Sequence, residues 1–302
     1  MALKDIKTKI GATKRMHTVT RAMEAVSAVK MRKTQERALK GRAYARAALS
    51  ILTRLSGTQE VATHPLAKVR EVKRTALFII TSDKGLAGSL NSGVLRRAND
   101  AVAMLEVQNV DVYAYGKKGM ESFMRRGYTI ATYMENKGDE VSAEVMEKLA
   151  SDIAKGYLEE KYDQVIAVYS NFKSTFEQQP MSRVLLPLSI ENMTQLVSDI
   201  RPAKGKWSNE IAAKAPASYT VESTDEGIMS TLVPRLVSVS LYHMLLEAKA
   251  SEHSARMVAM KNASDKSKEV ARDLTRTFNK IRQAAITREV SEIVGGREAL
   301  AN

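Results

Sequence analysis

The chain has 302 residues, no cysteine and a formal net charge of +13. The absence of cysteine excludes disulfides, thiolate metal sites, cysteine nucleophiles and thiol switches. Aromatic residues make up only 5% of the chain while methionine is frequent, a balance that favours helix surfaces and adaptable contacts over an aromatic-filled sandwich.

The positive charge is concentrated in residues 1–56. This segment holds seven Lys and seven Arg against Asp5, Glu24 and Glu36, which gives +11, so the rest of the chain contributes only +2 of the total of +13. Such a segment is typical of a solvated face, of nucleic-acid binding or of contact with an acidic protein. Its single aromatic residue, Tyr44, disfavours stacking on single-stranded bases, whereas duplex binding stays open on charge alone.

Residues 1–56 are predicted to form one long helix. The segment contains no proline, and at about 1.5 Å per residue it would span roughly 84 Å, too long for an ordinary globular core. A narrow apolar stripe at three-four spacing consists of Leu3, Ile6, Ile10, Met16, Val19, Met23 and Val26. Lys30, Lys33 and Arg37 continue this stripe as a basic face. We therefore expect the helix to pair with a second helix up to about Val29.

Residues 73–190 have the alternating pattern of a small α/β domain. Short β-rich runs at 74–81, 110–115, 128–133 and 163–169 alternate with helical patterns at 95–105, 117–126 and 142–161. This alternation predicts a mostly parallel sheet. Residues 175–186 are predicted to add an antiparallel strand or hairpin. Residues 191–222 have no clear period and are interpreted as a connector.

Residues 223–302 are predicted to contain a second long helix, which would reach about 100 Å between residues 228 and 294. Its apolar residues again fall at three-four spacing, namely Leu232, Leu236, Val239, Leu246, Val270, Leu274, Phe278, Ile281 and Ala285. Gly295 and Gly296 are predicted to end it. Two long helices at opposite ends of the chain, each with one apolar stripe, predict an antiparallel coiled coil.

Residues 81–91, TSDKGLAGSLN, form the segment most typical of a phosphate-binding turn. The segment follows the first strand of an α/β unit, where glycine-rich loops often bind phosphate. It contains neither GxxxxGK[ST] nor GxGxxG, so we expect a structural turn and no direct nucleotide binding. The four histidines lack metal-ligand spacing, and the apolar runs are far shorter than the roughly 20 residues that cross a membrane. We expect no cofactor, no metal and no catalytic residue.

Three parts of the chain resemble ATP synthase gamma subunits. They are MALKDIKTKIGATKRMHTVTRAMEAVSAVKMRK at the start, ITSDKGLAGSLN in the middle, and SARMVAMKNASD with NKIRQAAITREVSEIV near the end. The resemblance implies an antiparallel coiled coil of the chain ends standing on a small Rossmann-like domain. It also implies a non-catalytic rotary shaft, peripheral on the cytoplasmic side of the cell membrane, that couples proton flow to ATP synthesis at the beta subunits.

The resemblance further implies contacts with the alpha and beta subunits, the epsilon subunit and the c-subunit ring. The implied subunit-contact residues are Met23, Lys30, Lys33, Arg37, Arg256, Gln283, Ile286, Thr287, Glu289 and Glu292. The chain departs from the family pattern at Ala87, where many members have Cys, at Arg297, where Ala is common, and in the connector. The first departure, with the absence of the cysteine-bearing insert of chloroplast relatives, predicts no thiol control. The last leaves the residues that contact epsilon and the c ring unassigned.

Two other functions stay open at this stage. A basic coiled-coil protein that binds nucleic acid would show steeply salt-dependent DNA binding. A nucleotide-dependent enzyme built on the central domain would require a phosphate cradle, which the glycine spacing does not supply. Neither alternative explains both long terminal helices.

Overall fold

The structure is a computed structural model that describes residues 3–55, 64–138, 143–188, 192 and 225–301. The two terminal helices are α1, Leu3–Leu55, and α5, Asp225–Ala301. The elements between them are β1 Thr75–Ile80, α2 Leu90–Val102, a 3-10 turn Val107–Asn109, β2 Val110–Tyr115, α3 Lys117–Met124, β3 Thr129–Met134, α4 Ala143–Leu158, β4 Gln164–Ser174 and β5 Glu177–Leu186. The predicted connector, residues 191–222, lies outside the described residues except for Asn192.

The chain divides into two compact units. The first combines Met1–Ser27 with Met257–Asn302, and the second is Ala28–Arg256. In the second unit, five strands form one sheet in the order β3-β2-β1-β4-β5. β1 pairs in parallel with β2 and β4, β2 pairs in parallel with β3, and β5 is antiparallel to β4. The predicted α/β fold with a mostly parallel sheet and an antiparallel hairpin is confirmed.

Helices cover both faces of this sheet. Successive strand residues point to opposite faces, so Phe78 packs with Ile153 of α4 and Leu241 of α5, while Leu77 packs with Phe123 of α3 on the other face. A sheet covered on both faces leaves no residue of its inner strands facing solvent and favours strands that are apolar along most of their length. This explains why every residue of β1 and β2 is buried.

The carboxyl ends of β1 and β2 approach each other closely at Gly116. The amide of Thr81 donates to the Tyr115 carbonyl at 2.8 Å, and Gly116 has a φ of 104°. A Cβ atom at this position would lie 2.0 Å from the Thr81 carbonyl oxygen. Only glycine fits the backbone conformation and the space together.

In the first unit, α1 and α5 contact each other. The Nδ1 atom of His17 lies 3.0 Å from both the hydroxyl and the carbonyl oxygen of Ser264. The buried and half-buried residues of α1 repeat at three-four spacing and include Ile6, Ile10, Thr13, His17, Thr20, Glu24 and Ser27. Those of α5 do the same and include Met260, Ser264, Ser267, Ala271, Leu274, Phe278, Ile281 and Ala285. These two rows form the seam of a coiled coil.

The seam of α1 differs from the prediction. Met16, Val19 and Val26, which were expected in it, are 59%, 57% and 55% exposed, and the seam lies on the neighbouring helix face. Small polar residues can occupy a seam when their hydroxyls bond to the preceding turn. Thr20 does so, because its hydroxyl donates to the Met16 carbonyl at 2.9 Å. On α5 the expected residues from Leu274 onward are half-buried.

The predicted end of the second helix is also wrong. α5 continues through Gly295 and Gly296 to Ala301. Neither glycine has the positive φ that a glycine helix cap adopts. A glycine inside a helix costs about 1 kcal/mol relative to alanine but keeps its N–H group, so the helix weakens there without stopping.

Candidate functional site

The outer face of α1 in the first unit carries an apolar stripe. Met16, Val19 and Val26 are more than half exposed, and Met23 between them is half-buried. Helical spacing places these four side chains in one row beside the seam. An exposed apolar row of this kind is typical of a surface that contacts another protein.

The C-terminal part of α5 carries a second apolar stripe. Ile286, Val290 and Ile293 are 51%, 54% and 71% exposed and follow steps of four and three residues. The exposed residues Gln283, Thr287, Glu289 and Glu292 lie on the same segment. At about 100° per residue, Gln283 and Thr287 flank the stripe on one side and Glu289 on the other. The Thr287 hydroxyl donates to the Gln283 carbonyl at 3.0 Å.

The basic residues of α1 lie in the second unit. Lys33 is exposed, whereas Lys30 and Arg37 are half-buried. The face of α1 that is buried here contains Met31 and Thr34. At about 100° per residue, the basic residues centre roughly 100° away from that face. They therefore form a side surface of the helix, which is where a charged contact with another chain would have to be made.

Arg256 makes contacts within the chain. Its guanidinium lies 2.7 Å from a carboxylate oxygen of Glu252 and donates to the Gly85 carbonyl at 3.5 Å. Its side chain is 12% exposed. The predicted contact of Arg256 with a partner subunit stays a prediction, and the internal contacts give the residue a second role.

The loop at residues 81–91 holds the start of α3. Three amides of α3 donate to it: Lys117 to the Asp83 carboxylate at 2.8 Å, Lys118 to the Ser82 carbonyl at 3.2 Å, and Gly119 to the Thr81 hydroxyl at 2.8 Å. The first amides of a helix are the groups that bind phosphate in nucleotide-binding α/β proteins. Here protein acceptors satisfy them.

The same loop is also bonded to itself. The Ser82 amide donates to the Asn91 side-chain oxygen at 3.1 Å, and the Asn91 amide group donates to the Ser82 hydroxyl at 2.7 Å. The Ser82 hydroxyl donates in turn to the Lys84 carbonyl at 2.6 Å. The loop is therefore built as a closed turn between β1 and α2, as the sequence predicts.

Sequence reasoning missed a group of buried polar residues on α5. Glu247, Lys249, Ser251 and Glu252 are all less than a tenth exposed. They lie at the carboxyl ends of the strands, where Ser251 donates to the Ser170 carbonyl at 3.0 Å. Nothing in their spacing separates them from the charged residues that a helix exposes to solvent, so no sequence signal reveals them.

Two further kinds of site, a metal centre and a membrane-spanning helix, have no candidate among the described residues. Within the described ranges no three or more His, Asp or Glu side chains come together as possible metal ligands. In the same part of the chain, no helix has both the length and the apolar character needed to cross a membrane.

Known proteins resemble this chain in sequence and in fold. The family model described as ATP synthase matches residues 2–300. An ATP synthase gamma chain from Chloroflexus aurantiacus is 38% identical over 302 residues, covering 98% of both chains. One from Roseiflexus castenholzii is 39% identical, covering 99% of this chain and 98% of the relative. A cryo-EM structure of the central stalk and c-ring of Tetrahymena thermophila mitochondrial ATP synthase matches with a TM-score of 0.61 and 25% identity, over 82% of this chain and 99% of that one.

These matches identify the class of protein: the chain is a subunit of a rotary ATP synthase. The chain belongs to the ATP synthase gamma chain family, because the relatives of that name align over nearly its full length. Nothing in these comparisons supports the nucleic-acid alternative.

Proposed function

We propose that the chain is the central rotary shaft of a proton-translocating ATP synthase. The observation that carries this proposal is α1 in the first unit, whose seam residues are largely polar while an apolar stripe faces outward on the same helix. A free-standing coiled coil would bury its apolar residues in the seam. A shaft that turns inside other subunits needs them on its outside. The proposal divides the chain into coil segments 1–56 and 223–302, a central domain 73–190 and a connector 191–222.

The outer stripe of α1 is proposed to face the catalytic head of alpha and beta subunits. Met23 lies in this stripe, half-buried between exposed Val19 and Val26. Lys30, Lys33 and Arg37 would contact acidic surface of the beta subunits. Exposed ion pairs are each worth only about 0 to 1 kcal/mol, so the contact would guide rotation without locking the shaft in one position.

The end of α5 is proposed to turn in a bearing formed by the alpha and beta subunits. The apolar row that includes Ile286 would slide on that bearing, and Gln283, Thr287, Glu289 and Glu292 would contact its rim. The support is the exposure of all five residues. Such a bearing contact would depend on the shape of the helix end and would require no reactive side chain there.

Catalysis is proposed to take place on the beta subunits, with the epsilon subunit and the c-subunit ring bound at the foot of the shaft. The assembled complex would place this chain on the cytoplasmic side of the membrane as a peripheral subunit. Rotation of the c ring by protons would then turn the shaft and change the affinity of each beta site in succession.

The gamma chain itself is proposed not to bind nucleotide, because its central loop and the first amides of α3 are occupied by protein groups. Equilibrium dialysis of the isolated chain should detect no ATP or ADP binding in the micromolar range. Stoichiometric binding that is lost on replacing Gly85 and Gly88 would contradict this expectation.

The proposed function is tested by reconstitution in vesicles. Alpha, beta and epsilon subunits with the membrane sector should perform proton-driven ATP synthesis only when this chain is included. A second arm measures DNA binding by the purified chain across a salt series. Synthesis that proceeds equally without the chain would refute the proposal, and strong salt-dependent DNA binding in that case would favour the nucleic-acid alternative.

A further inference from the structure

Polar residues on two opposite faces of α5 form hydrogen bonds with the sheet of the second unit and with the segments that follow its strands. At about 100° per residue, Glu247, Ser251 and Ser254 fall within roughly 60° of one another around the helix axis. By the same measure Lys249, Glu252 and Arg256 also fall within roughly 60°, centred about half a turn away. Every residue from 243 to 254 is buried, so the helix is enclosed on all sides here.

The first face is bonded to β4 and to the turn that follows it. The Glu247 carboxylate accepts from the Phe172 amide at 3.2 Å. The hydroxyls of Ser251 and Ser254 donate to the carbonyls of Ser170 and Thr175, at 3.0 and 2.6 Å. Each of these bonds has a backbone group as its partner. Their positions are therefore fixed by the sheet itself.

The opposite face is bonded to the segments that follow β1 and β3. The Lys249 ammonium group donates to the carbonyls of Asn136, at 3.3 Å, and Gly138. The Asn136 side-chain amide donates to the Thr81 carbonyl at 2.6 Å and to the Glu252 carboxylate at 3.4 Å. Glu252 also pairs with Arg256 at 2.7 Å, and Arg256 reaches the Gly85 carbonyl.

The location of these contacts is unusual for the fold. In open α/β sheets, ligands bind outside the carboxyl ends of the strands, at the point where the strand order reverses. In this sheet β1 lies between β2 and β4, so that point falls between β1 and β4. The helix α5 occupies it, with Ser251 bonded to β4 and Asn136 joining β1 to Glu252.

Burying charged groups is a costly way to attach a helix. Lys249, Glu247 and Glu252 are 2%, 1% and 7% exposed, and desolvating such groups is compensated only by well-placed partners. An apolar face would pack at lower cost, but non-directional contacts can shift by rotation of the helix. Hydrogen bonds on two opposite faces have fixed directions, so turning α5 about its axis breaks contacts on both faces together.

We propose that six polar residues, the key residues of α5, fix the rotational position of this helix against the central sheet, so that the helix and the domain turn as one body under load. The key residues are Glu247, Lys249, Ser251, Glu252, Ser254 and Arg256. They are positioning residues for energy coupling, and the proposal rests on the rotary function proposed above. Torque applied to the central domain is then transmitted to α5 without rotation of the helix relative to the sheet.

The test uses the complete complex in vesicles and compares ATP hydrolysis with ATP-driven proton pumping. Lys249→Met with Glu252→Gln removes two of the three charges from one face, leaving Arg256, while keeping similar side-chain volume. We expect hydrolysis to stay near the unmodified rate while pumping falls severalfold. Lys249→Arg should keep the ratio of pumping to hydrolysis. If the double variant does not assemble, Ser251→Ala with Ser254→Ala weakens the other face and should lower the same ratio.

The matched control is Leu241→Ala, which removes a buried apolar side chain of α5 from the core against the sheet. It should lower thermal stability and leave the ratio unchanged. Because the chain has no cysteine, a pair introduced as Ser254→Cys and Thr175→Cys can be oxidised selectively within it. Oxidation should restore pumping in the Lys249→Met, Glu252→Gln background, and reduction should abolish the rescue.

Three outcomes would overturn the proposal. The first is an unchanged ratio in both polar variants, and the second is an equal fall of the ratio in Leu241→Ala. In the third, the unmodified complex hydrolyses ATP but pumps no protons. That result would refute the rotary function itself, and it is recognised because it appears before any substitution is made.

Discussion

The close approach at Gly116 allows a graded test of the central domain. In Gly116→Ala the new methyl group would sit 2.0 Å from the Thr81 carbonyl oxygen, at a φ of 104°. A strained backbone costs about 1 to 3 kcal/mol, and overpacking costs a further ~1 to 3 kcal/mol. We therefore expect the free energy of unfolding to fall by about 2 to 6 kcal/mol, the sum of these two terms.

Near-UV circular dichroism during urea unfolding measures this loss, because Tyr113, Tyr157 and Tyr162 are buried in the core of the second unit. For an m value of about 2 kcal/mol per M, the midpoint should fall by roughly 1 to 3 M. The signal reports mainly on packing around the sheet, against which Tyr242 of α5 also packs, whereas the helix content of α1 and α5 is followed in the far UV.

Two other glycines separate the terms. Gly127 has a φ of 84° but open space around its Cβ position, so Gly127→Ala should lose only the backbone term of about 1 to 3 kcal/mol. Gly85 has neither a positive φ nor a close neighbour, and Gly85→Ala should be neutral or slightly stabilising. A loss in Gly116→Ala no larger than in Gly127→Ala would refute the close approach.

Three further predictions concern charge, pH and the end of the shaft. Reversing Lys30, Lys33 and Arg37 to Glu should lower proton-driven ATP synthesis more than helix content, and added salt should ease the loss; equal rates at low salt for this variant and a control reversing Lys4, Lys117 and Lys118 would show that the basic face is merely solvated. Burial, and next its hydrogen bond with Tyr162, raises the pKa of Tyr113 above 10.0, so the stability it contributes is complete below that pH and is lost as the pH rises further. Tyr113→Phe should therefore flatten the fall of the unfolding midpoint above about pH 10, and an unchanged slope would exclude this residue as the cause. Deleting the residues after Glu292 should weaken the coupling between proton flow and ATP synthesis only partly. Intact assembly with complete loss of ATP hydrolysis would instead indicate a chemical role for the helix end.

The central domain could be predicted because its signals are local. β1 and β2 are near-continuous apolar runs, interrupted by Asp111 in β2, since both faces of the sheet are covered. The hairpin of β4 and β5 was also found, within two residues of its predicted start. The partner-contact residues came from family resemblance, and their positions on exposed or half-exposed helix faces do not yet test them.

Hydrophobicity alone predicts the coil seam on the wrong face of α1. Met16 and His17 are adjacent in sequence and so point about 100° apart on a helix, which is enough to exchange an exposed residue for a seam residue. The sequence pattern marks where apolar side chains lie, but not which of two apolar or mixed faces another subunit will cover. A shaft breaks the usual rule, because part of its apolar surface is intended for other chains.

The key residues of α5 could not be predicted from the sequence for a different reason. Lys249 and Glu252 lie three residues apart, as solvent-exposed ion pairs on helices commonly do. Both contact Asn136, which is 113 and 116 residues away from them in sequence. Contacts of that range are set by topology, and a helical repeat contains no information about them.

The polar seam residues of α1 also bear on how the chain is made. Translation at about 5 to 20 residues per second leaves α1 waiting roughly 10 to 50 s for the segment that pairs with it, which begins near Met257. During that interval a seam rich in leucine would invite pairing with the nascent α1 of a neighbouring ribosome. Thr20, Glu24 and Ser27 offer little to such a partner, so these polar seam residues favour pairing within one polypeptide over pairing between two.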